Sequence, residues 1–198
     1  MDNPGCHRTT LRGLWRAVNA DIEKAVEVSG EFTGLGISLR RKISCLLTPH
    51  VACCVIYRLS NWLYYKRLRL LARAFAAVNY ALHRVAICPA SQIGPGLYIP
   101  HTPGVIFYGH SGRNLTLYQH GVVAPSSVCD WRDAVHEGCP SLGNDVTVGV
   151  FAMAIGRVRV GDNVMIGPRT MVCEDVPSNC TMIGVNAKTF HPPGRPRA

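Results

Sequence analysis

From residue 142 onward a small or aliphatic residue returns every six positions, at Leu142, Val148, Ala154, Val160, Ile166 and Val172, in the run LGNDVT VGVFAM AIGRVR VGDNVM IGPRTM VCEDVP. A second such residue follows each of these four places later, at Val146, Ala152, Val158, Val164, Thr170 and Val176. An α-helix repeats about every 3.6 residues and a flat strand every 2, so neither sustains a period of six. Short strands joined at regular corners do. Each hexad then forms one side of a coil, turns its aliphatic residue inward, and puts Gly, Asn or Asp at the corner where the backbone turns tightly. Six consecutive hexads in phase predict a parallel β-helix of hexapeptide repeats.

The same period starts earlier, with Ile87, Ile93, Ile99 and Val105 as its aliphatic positions. Between Gly109 and Gly138 the register shifts and then fails: LYQHGV is one short return, and APSSVCDWRDAVHEGC reads as a loop at about residues 124–140. A long excursion from a stacked coil is a usual place for a binding function. This one carries Asp130, Trp131, Asp133, His136 and Glu137.

Before residue 86 the pattern is helical. Leu11, Leu14, Ala17, Val18, Ile22 and Ala25 are spaced by three and four with Gly30 as a stop, and residues 50–65 and 67–83 read as two further helices. The expected organisation is therefore α+β by segment: a helical region at 1–85, a β-helix at 86–190, and a flexible tail at 191–198.

A net charge of +9 points to anionic partners. The absence of an aromatic-flanked basic stripe or finger motif argues against nucleic acid. The apolar stretch HVACCVIYRLSNWLYYKRLRLLARAFAAVNYAL is broken by Arg58, Lys66, Arg67, Arg69 and Arg73, which excludes a membrane span. Its helices read first as core-facing with solvated cations, and second as a face for peripheral membrane contact. Nine cysteines without a CxxC pair, behind an N-terminus lacking a signal-peptide apolar run, are expected to be reduced thiols in a cytoplasmic protein. The adjacent Cys53 and Cys54 suit neither zinc nor a redox dithiol.

The segments YRLSNWL (57–63), ICPASQIGPGLYIPHTPGVIF, the late hexads and the closing TMIGVNAKTF together resemble the serine acetyltransferase-like branch of the left-handed β-helix acyltransferases. The likeness spans about residues 45–190, and more weakly the helix around Asp21. It implies a left-handed coil, acetyl-CoA as cosubstrate, no metal, and a homotrimer or dimer of trimers. His101 matches the family's catalytic histidine, and a neutral imidazole has the basicity to deprotonate a hydroxyl near pH 7. Lys188, in the position of the family's C-terminal GVPA[KR], is the foremost residue for CoA phosphates, with Arg157, Arg159 and Arg169 as helpers. His120, Asp130, Trp131 and His136 are the candidates for holding the acceptor.

Several positions depart from that family. Ala86 stands where an aspartate pairs with the catalytic histidine, Cys88 replaces the nearby histidine, and Pro100 replaces the aspartate before the catalytic histidine. EFTGLGIS lacks the RDPA aspartate, and EGCPS, with Cys139, replaces DRHPK. The resulting expectation is an O-acetyltransferase whose acceptor is not L-serine but a saccharide. The alternatives are an authentic serine O-acetyltransferase and a non-catalytic β-helix scaffold. A β-helix carbonic anhydrase is disfavoured, because His101, His110, His120 and His136 lack a close zinc-binding pair.

Overall fold

A computed structural model describes residues 10–28, 48–126 and 138–184, and the backbone of 188–190. Helix α1 (Leu11–Val28) starts at Thr10, whose Oγ1 accepts the Gly13 N–H at 3.1 Å, and buries Val18, Ile22, Ala25 and Val26 along one stripe. Helix α2 (Pro49–Tyr65) begins on a proline, which lacks only an N–H that the first turn leaves unpaired. Helix α3 (Arg69–His83) ends at Arg84, a left-handed residue whose N–H bonds the Tyr80 carbonyl. Ser60 Oγ donates to the Ala72 carbonyl at 2.7 Å and Asn79 Nδ2 to the Cys53 carbonyl at 3.0 Å, so α2 and α3 are fastened to each other by buried polar groups.

The rest is a left-handed β-helix whose sides form three sheets. The first holds β1 (Val85–Ile87), β3 (Val105–Phe107), β6 (Val122–Ala124), β9 (Met153–Ile155) and β12 (Met171–Val172). The second holds β2 (Gln92–Ile93), β4 (His110–Ser111), β7 (Ser141–Leu142) and β10 (Arg159–Val160). The third holds β5 (Thr116–Leu117), β8 (Thr147–Val148), β11 (Met165–Ile166), β13 (Thr181–Ile183) and an antiparallel β14 (Lys188–Phe190).

Pairings such as Gln92↔His110, Ser141↔Arg159 and Met153↔Met171 step by 18 residues, so three hexads complete one coil. The inward residues Val148, Ile166, Ala154, Leu117 and Ile99 are buried in one continuous core. Full burial of a Val, Ile or Leu contributes roughly 1.5–3 kcal/mol, which is why the six-residue period dominates the sequence.

Two irregularities shape the site. Ile87 pairs with Phe107, a step of 20, and Phe107 with Val123, a step of 16. The corner between the third and first sheets in the opening coil therefore carries two extra residues, and the following corner two fewer. Val105 is buried as expected, but it pairs with Val85, and Phe107 takes the hexad position. The second irregularity is the step of 31 from His110 to Ser141, thirteen residues beyond the regular 18. Residues 105–124 complete a coil whose first corner is two residues short, and β6 ends at Ala124.

One corner column is a ladder of left-handed residues: Asn114, Asp145, Asn163 and Asn179 have φ of 59, 57, 54 and 61°. Short polar side chains tolerate this conformation, and they pair along the stack, Asn114 Nδ2 to Asp145 Oδ1 at 2.8 Å and Asn163 Nδ2 to Asn179 Oδ1 at 2.9 Å. No helix of the described residues is long and apolar enough to cross a membrane.

Candidate functional site

The site rests on the YRLSN segment of α2, whose side chains grip backbone of the first coil. Tyr57 Oη donates to the Ser91 carbonyl at 3.0 Å, and Asn61 Nδ2 to the Pro89 and Ser91 carbonyls at 2.8 and 2.7 Å. Arg58 reaches deepest. Its Nη1 and Nη2 donate to the Ile93 and Gly94 carbonyls, both at 2.6 Å, while its Nε and Nη2 clamp Asp21 of α1 at 2.8 and 2.9 Å. Asp21 Oδ1 also accepts the amides of Gly96 and Leu97 at 3.0 and 2.8 Å.

Two helices and the IGPG corner are thus joined through one buried ion pair. Burial leaves the Asp21 carboxyl pKa above its ordinary value, although the Arg58 charge, its hydrogen bonds and the two amides pull against it. Burial also opposes the Arg58 charge, but Asp21 outweighs it and holds the guanidinium above its ordinary pKa. Four donors converge on the two carboxylate oxygens, an arrangement that favours the ionised form. Sequence reasoning missed this pair, although YRLSNWL itself was visible as a motif.

His101 lies on the enlarged corner, exposed to solvent, two residues beyond buried Ile99. The corner is tied at both ends: Gly104 N donates to the Arg84 carbonyl after α3, and the Pro103 carbonyl accepts the His120 N–H, each at 3.0 Å. Gly104 has φ of +74°, and a Cβ there would collide with the His120 imidazole. With the His120 ring where it stands, a side chain at this left-handed position needs the ring to shift.

His50, on the first turn of α2, sits beside this corner. Its Nε2 is 3.3 Å from Thr48 Oγ1, and its ring meets Tyr98 edge-on at 6.1 Å between centroids. Burial lowers the His50 pKa, and the neighbouring His101 charge lowers it further. Among the described residues no carboxylate is ion-paired to His101; the buried pair is Asp21–Arg58.

His120 is exposed on the same corner column, one coil on, and stacks on Phe151 with ring centroids 4.4 Å apart and 3° between planes. Arg169 continues that column, its N–H bonding the Val150 carbonyl. Arg157 follows Gly156 on a different corner, and Arg159 lies on β10 with its amide on Asp175 Oδ1, so the three arginines do not converge within one chain. Lys188 falls on β14, paired to Ile183 through the backbone. Asp130, Trp131 and His136 lie outside the described residues. In the chain they fall between β6 of the first sheet and β7 of the second, whereas His101 lies between the third sheet and the first. Cys88 and Cys139 share a buried apolar cluster with Ala90, Tyr64 and Tyr108, and burial raises the Cys88 thiol pKa.

No family model matches the chain. It is 35% identical over 147 residues to the serine acetyltransferase of Helicobacter pylori (strain J99), covering 73% of this chain and 83% of that protein. The crystal structure of the Neisseria gonorrhoeae serine acetyltransferase superposes with a TM-score of 0.79 at 23% identity, over 91% of this chain and 67% of that one. That of Brucella abortus, in complex with coenzyme A, superposes at 0.78 with 19% identity, over 91% and 69%.

These relatives overturn the expectation of a saccharide acceptor and favour L-serine. The expectation rested on a few substituted positions, Ala86, Cys88, Pro100 and Cys139, treated as the only places where the acceptor's charges can be met. A match over 147 aligned residues outweighs those few sites.

Proposed function

The chain belongs to the serine acetyltransferase family, and on that premise we propose that it transfers the acetyl group of acetyl-CoA to the hydroxyl of L-serine, with His101 as the general base. The observation that carries this reading is His101 itself. It stands exposed on a corner that the two extra residues push out of the coil, in a chain that over most of its length matches enzymes of this activity.

The acceptor hydroxyl is a weak nucleophile until its proton is removed. The His101 imidazole takes that proton as the serine oxygen attacks the thioester carbonyl. The tetrahedral intermediate then collapses with cleavage of the C–S bond, and the proton passes from the imidazolium to the leaving thiolate, giving O-acetyl-L-serine and CoA. The lowered His50 pKa disfavours a second positive charge beside His101 as the imidazolium forms.

Arg169 and Lys188 are assigned to the CoA phosphates, and Asp130, Trp131 and His136 to the acceptor. We assign the chain to a homotrimer, and the exposed apolar residues Phe151, Met153, Met165 and Met171 support that assembly.

The test is incubation of the purified chain with acetyl-CoA and L-serine, following thiol release and identifying the product by mass. Serine-dependent release with O-acetylserine as product supports the reading; no release above the serine-free control refutes it.

A further inference from the structure

Helix α3 carries a surface that acetyl transfer does not use. Leu70, Leu71, Ala74, Ala77, Val78, Ala81 and Leu82 are all exposed, Leu70 by 79% and Leu82 by 69%. At 100° per residue they fill a continuous arc of about 140° that contains no polar side chain. Along one border of the arc run Arg69, Arg73, Tyr80 and Arg84. The buried side of the helix is occupied by Ala72 and Asn79 facing α2, so the apolar arc points away from the protein.

We propose that this face of α3 docks on an anionic lipid surface, the helix lying in the plane of the headgroups. An apolar arc bordered by arginines is the pattern of an interfacial helix, whose side chains enter the acyl boundary while its cations meet lipid phosphates and carboxylates. The charge distribution commits the surface to an anionic occupant. No aspartate or glutamate occurs anywhere from residue 32 to residue 129, while Arg58, Lys66, Arg67, Arg69, Arg73 and Arg84 fall on or beside α2 and α3. Of these, Arg58 is neutralised internally by Asp21. A second copy of the chain seated on the same face would bring identical basic borders together with no acidic residue between them. Nucleic acid would leave the leucines without an apolar partner.

The experiment is flotation of the full chain with vesicles of phosphatidylcholine alone and with about a third phosphatidylserine, at low and raised salt. Binding is expected to the anionic vesicles, at least about tenfold weaker to neutral ones, and reduced by salt. Arg69→Gln is expected to weaken it about fivefold, and the double variant Leu70→Ser, Leu82→Ser by at least about tenfold with an unchanged melting temperature, since both leucines are exposed. Equal binding to both vesicle types, no binding to either, or full binding by the folded leucine variant would overturn the proposal. So would a smaller oligomer for the leucine variant in gel filtration, which would mean that a second copy covers the face.

Discussion

Removing the Asp21 carboxylate tests how the helices hold the catalytic corner. In Asp21→Ala the Arg58 guanidinium, only 5% exposed, loses its counter-charge and two of its four hydrogen bonds, and the amides of Gly96 and Leu97 lose their acceptor. Breaking a buried pair from one side costs about 3–5 kcal/mol, and each orphaned amide about 1–3 if kept dry. A cavity of about 550 Å³ borders Arg58, Ile93 and Gly94, so water can reach the unpaired guanidinium. The expected loss therefore sits near the lower end, about 3–4 kcal/mol. Asp21→Asn keeps an acceptor for the amides but not the charge, and is expected to lose about 2–3 kcal/mol. The double variant Asp21→Leu, Arg58→Leu leaves no buried charge, and its loss should fall short of the sum of the two single variants by about 2 kcal/mol or more. Urea unfolding at one fixed protein concentration measures all of these. A loss below about 1 kcal/mol for Asp21→Ala, or strict additivity in the double variant, would refute the claim that this pair fastens the first coil.

Gly104→Ala places a side chain at φ of +74° against the His120 ring, and is expected to cost about 1–3 kcal/mol in thermal unfolding with a larger fall in turnover. Adding His120→Gly should restore much of the stability, because it removes the obstructing ring and relaxes a residue at φ of 57°. The folded-state pKa values of His50 and His83 are lowered by burial, so just below about pH 6.5 the unfolded chain binds protons that the folded chain refuses. Their contribution is complete above that pH and is lost as pH falls through the lowered values; His50→Gln and His83→Gln should each flatten the fall in urea midpoint between about pH 7.5 and 5.5. Arg169→Ala is expected to raise the KM for acetyl-CoA about tenfold with kcat little changed, as steady-state kinetics would read directly.

The six-residue period was legible because each coil side needs one inward apolar residue, and Leu142 to Val172 supply it without a gap. The two-residue slip before Phe107 was hidden, since Val105 is also aliphatic and also buried, so the wrong register satisfied the pattern equally well. The coil at 105–124 was obscured by Ser111, a polar residue at an inward position that closes on the Gly112 carbonyl. Asp21 and Arg58 lie 37 residues apart on different helices, and no periodicity links them. The YRLSN side chains bind main-chain carbonyls, which every sequence has, so the motif could be seen without its targets. His101 stood out because an imidazole in an apolar, glycine-rich run has no packing role.

The central claim is that His101 removes the serine proton, and the most direct measurement is the rate of CoA release from acetyl-CoA and saturating L-serine by wild type and His101→Ala. The account predicts serine-dependent release by the wild type and a fall of about 10²–10⁴-fold in kcat for the variant, with acetyl-CoA binding retained. A variant that turns over serine at the wild-type rate would contradict it.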